Sequence, residues 1–439
     1  MSQQFSGSRF RRTKGLAAAC LVAMTCVRGV GTTAQETDGG PNQVLEWNQV
    51  FVDTLILTGT PNSSSQRLGA IVHTAIFDAF NGIERRYTPI FVHSTAPRGA
   101  SRRAAVVAAA YTTLAGLFPA RQTALAEMYA ASLAALSDDG DGGQSRDRGV
   151  EWGTEVAQLV LAWRATDGFN ATYPPFTNGP APAIGQWRPT PPAFGPMSAQ
   201  GLAFTVPFVV VNSAQFRPPP PRGLSSATYA DDFNTVKALG RSTGSTRTGE
   251  QTALAPFWEG NASVHWNQAA NQIARANDLS MSASNRLLAV LNLAMADTAI
   301  TTWAAKRAYG ADPLEVTWRP VTAIPLAGVD GNPDTDADPV WLPLVNTPSH
   351  PEYPAGHPSQ NGAAATVLLE HFDDQQVFTL TTGQQNRTYT SISAARADGN
   401  NARVWGGMHY PSTVAISDAE GEAIAMFVNS SAMQKPNHE

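Results

Sequence analysis

The sequence predicts a mainly α-helical protein interrupted by one long irregular stretch. Three observations carry this expectation. Apolar residues recur at helical spacing across most of 45–166 and 224–430. Between them, residues 167–223 are crowded with proline, glycine and aromatics. Strand-like pieces such as 208–211 are too short and isolated to build a sheet.

In chain order, residues 67–80 place apolar side chains on nearly every face, which predicts a buried helix. Residues 102–117 and 122–136 read as Ala-rich helices, and 138–143 break the pattern as a loop. Within 167–223, Trp187-Arg188-Pro189 and Pro218 to Pro221 exclude long helices, because proline fixes φ and removes a donor. Trp187, Phe194, Phe204, Phe208 and Phe216 give this stretch apolar weight, so we expect it to wrap across the helical core. Helical pattern resumes near Thr228 and continues through 251–257 and 262–276. Residues 284–307 form the strongest helical pattern, with Ser284 as N-cap, and should lie at the centre. Residues 362–372 and 416–428 complete the helices, and no internal repeat is apparent.

At 439 residues, 43% hydrophobic and 15% charged, the chain can build one large or two ordinary domains. A net charge of -5 gives no footprint for nucleic acid. An anionic substrate would have to be caught by local cations. Arg9, Arg11, Arg12 and Lys14 head an apolar run over 15–27 that is too short to span a bilayer. Thr32-Thr33-Ala34 offers a cleavage site, so residues 1–34 read as an export signal and 35–439 as one helical domain. Arg11-Arg12 raises a twin-arginine route. Cys20 and Cys26 both fall inside the signal, which excludes thiol catalysis, zinc-thiolate sites and disulfides from the mature protein. Nothing downstream reads as a membrane span, and the expected setting is secreted or periplasmic.

The chemistry concentrates in His350-Pro351-Glu352-Tyr353-Pro354-Ala355-Gly356-His357 and in Arg403 with His409. A Gly-His step after a proline-stiffened loop that runs into a helix offers a backbone N–H beside an imidazole. Lys306 and Arg319-Pro320 would add two cations to Arg403. Three cations, two imidazoles and a free N–H suit a tetrahedral oxyanion such as phosphate or vanadate. Taken alone, Lys306 would simply complement a helix C-terminus. Asp297, His73 and His265 read as buried structural groups, whereas His93, His371 and His438 read as surface residues.

These elements, in this order, resemble the superfamily joining vanadium-dependent haloperoxidases with type 2 phosphatidic acid phosphatases. Its pattern is Lys-x6-Arg-Pro, then Pro-Ser-Gly-His, then Ser-Arg-x5-His. Residues 67–81, 187–192, 292–303 and 330–333, with Arg247-Thr248, Glu250-Gln251 and Phe257-Trp258, also resemble its bacterial haloperoxidase-like branch. The likeness covers roughly 45–430 and implies a helical bundle with vanadate as cofactor. By resemblance, Lys306, Arg319, Arg403 and the Gly356 N–H would bind the oxyanion's oxygens. His409 would be the axial ligand to vanadium and His357 the acid–base residue. Trp303 and His350 would line a halide pocket. Hydrogen peroxide, halide and a small organic acceptor would be the partners, and the apolar helices allow a homodimer.

The resemblance leaves two alternatives open. One is a soluble acid phosphatase in which His409 is phosphorylated and His357 protonates the leaving group. The other is a non-catalytic descendant. Three departures bear on the choice. Twelve residues separate Lys306 from Arg319, so 308–313 reads as a looped-out insertion and Arg307 could replace Lys306. Ala355 and Ala402 stand where the family has serine. A lost neutral hydroxyl costs about 0.5–1.5 kcal/mol and each charged contact contributes about 1.5–3 kcal/mol, so oxyanion binding should survive.

Overall fold

A 31-residue helix, Met281–Ala311, runs through the protein, and every residue from Leu287 to Lys306 is buried. Burial on all sides explains why its sequence is apolar all round. It is the one helix among the described residues long and apolar enough to cross a membrane, yet here it is a core helix. Its N-cap is Ser280, whose side chain accepts from the Ala283 N–H, so the helix starts one turn before the expected Ser284.

The computed structural model describes residues 41–136 and 143–436. The export-signal segment with Cys20 and Cys26, most of the 138–143 break and His438 lie outside them. Thirteen α-helices lie among the described residues: α1 (Gln43–Leu57), α2 (Asn62–Glu84), α3 (Arg102–Leu117), α4 (Gln122–Ala134), α5 (Gln144–Ala165), α6 (Ala227–Leu239), α7 (Gly249–Phe257), α8 (Ala262–Ala276), α9 (Met281–Ala311), α10 (Pro320–Leu326), α11 (Gly356–Leu369), α12 (Ile392–Trp405) and α13 (Pro411–Ser431). A two-stranded antiparallel hairpin, β1 (Phe378–Thr382) with β2 (Gln385–Tyr389), was not expected from the sequence. It turns at Gly383, whose φ of 59° favours glycine.

The helices reveal an internal repeat that local patterning missed. The pair α8–α9 starts 219 residues after the pair α1–α2 at both helices, from 43 to 262 and from 62 to 281. Trp47-Asn48-Gln49 corresponds to Trp266-Asn267-Gln268. Arg67-Leu68, Ala70, Ala75 and Asp78 correspond to Arg286-Leu287, Ala289, Ala294 and Asp297. The contacts repeat as well. His73 meets Asn48 at 2.9 Å, and Asn292 donates to Asn267 at 2.9 Å. Gly153 lets α5 approach the α3 backbone at Ala105, and Gly421 lets α13 approach the α11 backbone at Ser359. Two bundles result, α1–α2–α3–α5 and α8–α9–α11–α13, joined where α2 packs on α9.

Each bundle also carries a buried aspartate that clamps a loop. Asp78 accepts the N–H groups of Ile90, Phe91 and Val92 at 2.8, 2.8 and 2.9 Å. Asp297 accepts those of Phe208, Val209 and Val210 at 2.6, 2.8 and 2.8 Å. Burial pushes both carboxyls up to about 6, against the pull of these N–H groups. The Asp297 clamp fixes the irregular stretch 167–223, which holds no α-helix and one 3-10 turn, Gln200–Phe204. Arg164 and Arg67 both meet Asp167 at 2.7 Å, and Arg164 lies 3.8 Å over the Phe208 ring. The wrap is thus structured, but Phe194 and Phe204 contribute less than expected, being 64% and 44% exposed. His371 is half-buried, not a surface residue, with Nδ1 2.9 Å from the Val367 carbonyl and Nε2 beside Arg286.

Replacing Asp297 with alanine leaves three inward-facing N–H groups without acceptors. We expect a loss of about 3 kcal/mol or more in urea unfolding. A change below about 1 kcal/mol would contradict the clamp.

Candidate oxyanion site

The three cations come from three segments: α9, the residue before α10, and α12. Lys306 lies late in α9, wholly buried, and its Nζ donates to the carbonyls of Pro351 and Glu352 at 2.7 and 3.2 Å. Its helix continues to Ala311, so 308–311 are helical and do not loop out. Gly310 packs on the Pro351 ring and its carbonyl accepts from Asn178. Arg307 points elsewhere, stacking 4.1 Å over Phe176, and does not replace Lys306.

Arg319 precedes α10, where Pro320 at the first helical position costs no hydrogen bond. Its guanidinium is fully buried. Nε donates to the His350 carbonyl at 2.9 Å, and one Nη donates to the Met408 carbonyl at 2.8 Å. The guanidinium also meets His409 Nε2 at 3.0 Å and His350 Nδ1 at 2.8 Å. Arg403 closes α12, donating to the Trp258 carbonyl at 3.0 Å and touching Met408 sulfur at 2.9 Å. Its Nε is buried and has no partner.

His409 has both ring nitrogens assigned by their neighbours. Nδ1 lies 2.9 Å from Glu352 Oε1, an acceptor, so Nδ1 carries the hydrogen. Nε2 therefore offers its lone pair, which faces Arg319. Glu352 also accepts from Tyr410 N–H at 3.1 Å and Thr413 hydroxyl at 3.0 Å, and three donors favour the ionised form. Burial pushes its carboxyl up to about 7, opposed by Arg319 and Lys306. Glu352 stood in the loop motif without an assigned role. Only the fold places it against a histidine 57 positions away.

Gly356 is the first residue of α11, so its N–H has no intrahelical partner. A Cβ there would lie 3.1 Å from the Trp303 ring, which explains the glycine. His357 follows, half-buried, with Nε2 3.1 Å from the Gly260 carbonyl, which leaves its Nδ1 lone pair available. Trp303 and His350 do share a wall, their ring centres 5.2 Å apart. Ala355 donates its N–H to Ser417 Oγ at 2.7 Å, so the loop is anchored although its own hydroxyl is missing. A groove of about 510 Å³ between α6, α12 and α13 lies elsewhere and is lined by none of these residues.

Burial dominates the electrostatics. It holds Lys306 well below its usual value, helped by Arg319, and lowers Arg319 to about 9 and Arg403 to about 10. Burial first, then neighbouring cations, keeps His409, His350 and His357 well below the ordinary histidine range. The imidazoles are therefore neutral at pH 7, and the crowded cations disfavour one another until an anion joins them.

Residues 286–438 match a family model described as the VCPO second helical-bundle domain. The fold is similar to a structure described as the first bacterial vanadium-dependent iodoperoxidase. The TM-score is 0.75 at 23% identity, over 90% of this chain and 98% of that one. Apo and holo forms of a bacterial vanadium-dependent chloroperoxidase align with TM-scores of 0.65 and 0.64. Both are 20% identical over 84% of this chain, and cover 92% and 91% of theirs. The chain thus has the fold of these bacterial vanadium-dependent haloperoxidase structures, and its second bundle matches their second helical-bundle domain. No curated protein matches it in sequence.

The residues of this haloperoxidase-fold site fit an oxyanion. The unpartnered Arg403 Nε, the Gly356 N–H and the remaining hydrogens of Lys306 and Arg319 are donors without acceptors of their own. His409 Nε2 supplies a lone pair beside them. Glu352→Gln removes the carboxylate that fixes the His409 tautomer. It should weaken orthovanadate binding by about 10–100-fold in calorimetry, and unchanged binding would contradict the orienting role.

Proposed function

We propose that this protein is a vanadate-dependent peroxidase that oxidises a halide with hydrogen peroxide and passes the halogen to a small organic acceptor. The observation that carries this reading is His409. Its imidazole is neutral, tied at Nδ1 to Glu352, and turns its Nε2 lone pair toward buried cations. The fold likeness to a bacterial iodoperoxidase and chloroperoxidase supports it.

In this reading Lys306, Arg319, Arg403 and the Gly356 N–H hold the oxygens of vanadate, and His409 Nε2 is its nitrogen ligand. Bound vanadate supplies the electrophilic centre that activates hydrogen peroxide toward halide. His357 takes a peroxide proton at Nδ1 and returns it to the departing oxygen, because Nε2 is engaged with Gly260. Trp303 and His350 form the wall against which a halide would rest, with Lys306 Nζ 5.9 Å from the Trp303 ring. An exported setting, secreted or periplasmic, fits the basic head and apolar run of the first 34 residues.

The same geometry favours a second reading as an acid phosphatase. A carboxylate-paired imidazole with an unprotonated Nε2 is a competent nucleophile, and His357 could then protonate the leaving oxygen.

The two readings separate in one assay set. With vanadate, hydrogen peroxide and bromide, the protein should brominate a halogen-accepting dye. His409→Ala should reduce turnover to background and His357→Ala should reduce it by about a hundredfold or more. Phosphate-ester hydrolysis blocked by vanadate, with no bromination, would replace the first reading with the second. Neither activity, with no vanadate binding, would leave a non-catalytic protein.

A further inference from the structure

Glu420 is an interior acid that the oxyanion site itself does not use. It sits on α13, 5% exposed. Its Oε2 lies 3.1 Å from Thr302 Oγ1 on α9. Thr302 Oγ1 lies 3.0 Å from Ser359 Oγ on α11, and Ser359 Oγ lies 2.8 Å from the Gly356 carbonyl oxygen.

Counting hydrogens fixes the direction of this chain. A carbonyl oxygen only accepts, so Ser359 donates its single hydroxyl hydrogen to Gly356. Ser359 must then accept from Thr302, which uses its own single hydrogen there. Thr302 has none left for Glu420, so the third contact is a hydrogen bond only when Glu420 donates. A carboxylate cannot donate. A second observation agrees: Glu420 Oε1 is buried with no partner, an arrangement far costlier for an ion than for a neutral acid. Burial pushes the carboxyl up to about 8, against the Thr302 contact and Lys306.

The chain ends at a mechanically useful place. The peptide bearing the Gly356 N–H lies between two anchors. On one side Ala355 N–H is held by Ser417 Oγ, and on the other the Gly356 carbonyl is held by Ser359. Both anchors trace back to α13, at Ser417 directly and at Glu420 through Thr302, one turn apart.

We propose that Glu420 is a neutral carboxylic acid heading the chain Glu420–Thr302–Ser359–Gly356 carbonyl, and that it is a positioning residue for the first turn of α11. The consequence for anion binding rests on the oxyanion-site reading above, whereas the protonation of Glu420 does not. Ionisation would reverse the Thr302 hydrogen toward Glu420 and leave Ser359 without its donor. The titratable groups acting on Glu420 are Lys306 and Tyr309 from α9 and Tyr353 from the loop before α11, and α11 contributes the Ser359 hydroxyl.

Two measurements on the full chain test this, comparing wild type with Glu420→Gln, whose amide still donates, and Glu420→Leu, which cannot. The first is thermal unfolding against pH. A carboxyl raised in the folded state stabilises fully below its unfolded value, and that stability is lost as pH rises toward the folded value. The Tm of wild type should therefore fall relative to that of Glu420→Gln between about pH 5 and about pH 8, and level off above. A gap that stays constant with pH overturns the protonated acid. The second is binding of tungstate, a tetrahedral anion whose charge does not change in this range. Glu420→Gln should bind like wild type near neutrality and Glu420→Leu about tenfold more weakly. By about pH 9 wild type should have lost about tenfold more affinity than Glu420→Gln. Glu420→Gln binding as weakly as Glu420→Leu, or sharing the pH profile of wild type, overturns the positioning role. Wild type that binds no tungstate overturns the oxyanion reading and that role with it, while the Tm gap still decides the protonation.

Discussion

Three cations buried within one another's fields are the constraint on which the rest of this structure turns. Lys306, Arg319 and Arg403 are each at most 2% exposed. Charges this deep must be compensated locally or shift toward neutrality. Here a ring of carbonyls from His350, Pro351, Glu352, Met408 and Trp258 accepts hydrogen bonds from all three. One carboxylate, Glu352, supplies the nearest opposite charge. Three cationic side chains facing one carboxylate favour an anion among them, and the loose donors point to where it would sit.

The scaffold meets this demand by duplication with divergence. Both halves use the same central pair, a Trp-Asn-Gln helix followed by an Arg-Leu helix with a loop-clamping aspartate. At the first turn of α11 the second half has Gly356 and His357. The corresponding first turn of α3 has Arg102 and Arg103, with Arg102 paired to Glu84. The first bundle thus keeps the packing and fills its helix start with its own side chains. The second has glycine at that start, where a Cβ would crowd the Trp303 ring at 3.1 Å. The Pro-rich stretch ties the halves together, since its Asp297 clamp belongs to the second half and its Arg67 and Arg164 anchors belong to the first.

Much of this was legible in the sequence, for identifiable reasons. Helices such as 102–117 and 262–276 announce themselves through local periodicity, and the motif residues are short strings of unusual chemistry. Helix ends were less legible, because Ser280 and Ser284 are equally good caps one turn apart. The apparent insertion at 308–313 misled because spacing in a motif says nothing about secondary structure, and α9 simply runs on. Glu352 and Glu420 were invisible as partners, since 57 and 118 positions separate them from His409 and Thr302. The repeat escaped because its period is far longer than any local window, and only scattered positions, such as Trp47 with Trp266 and Asp78 with Asp297, keep their identity.

The most direct measurement is a crystal structure of the protein grown with orthovanadate. One tetrahedral-derived anion should touch Lys306, Arg319, Arg403 and the Gly356 N–H, with His409 Nε2 as its nitrogen ligand and Glu352 still on Nδ1. Vanadate bound away from these residues, or His409 turned so that Nδ1 faces the anion, would contradict the assignment of this pocket.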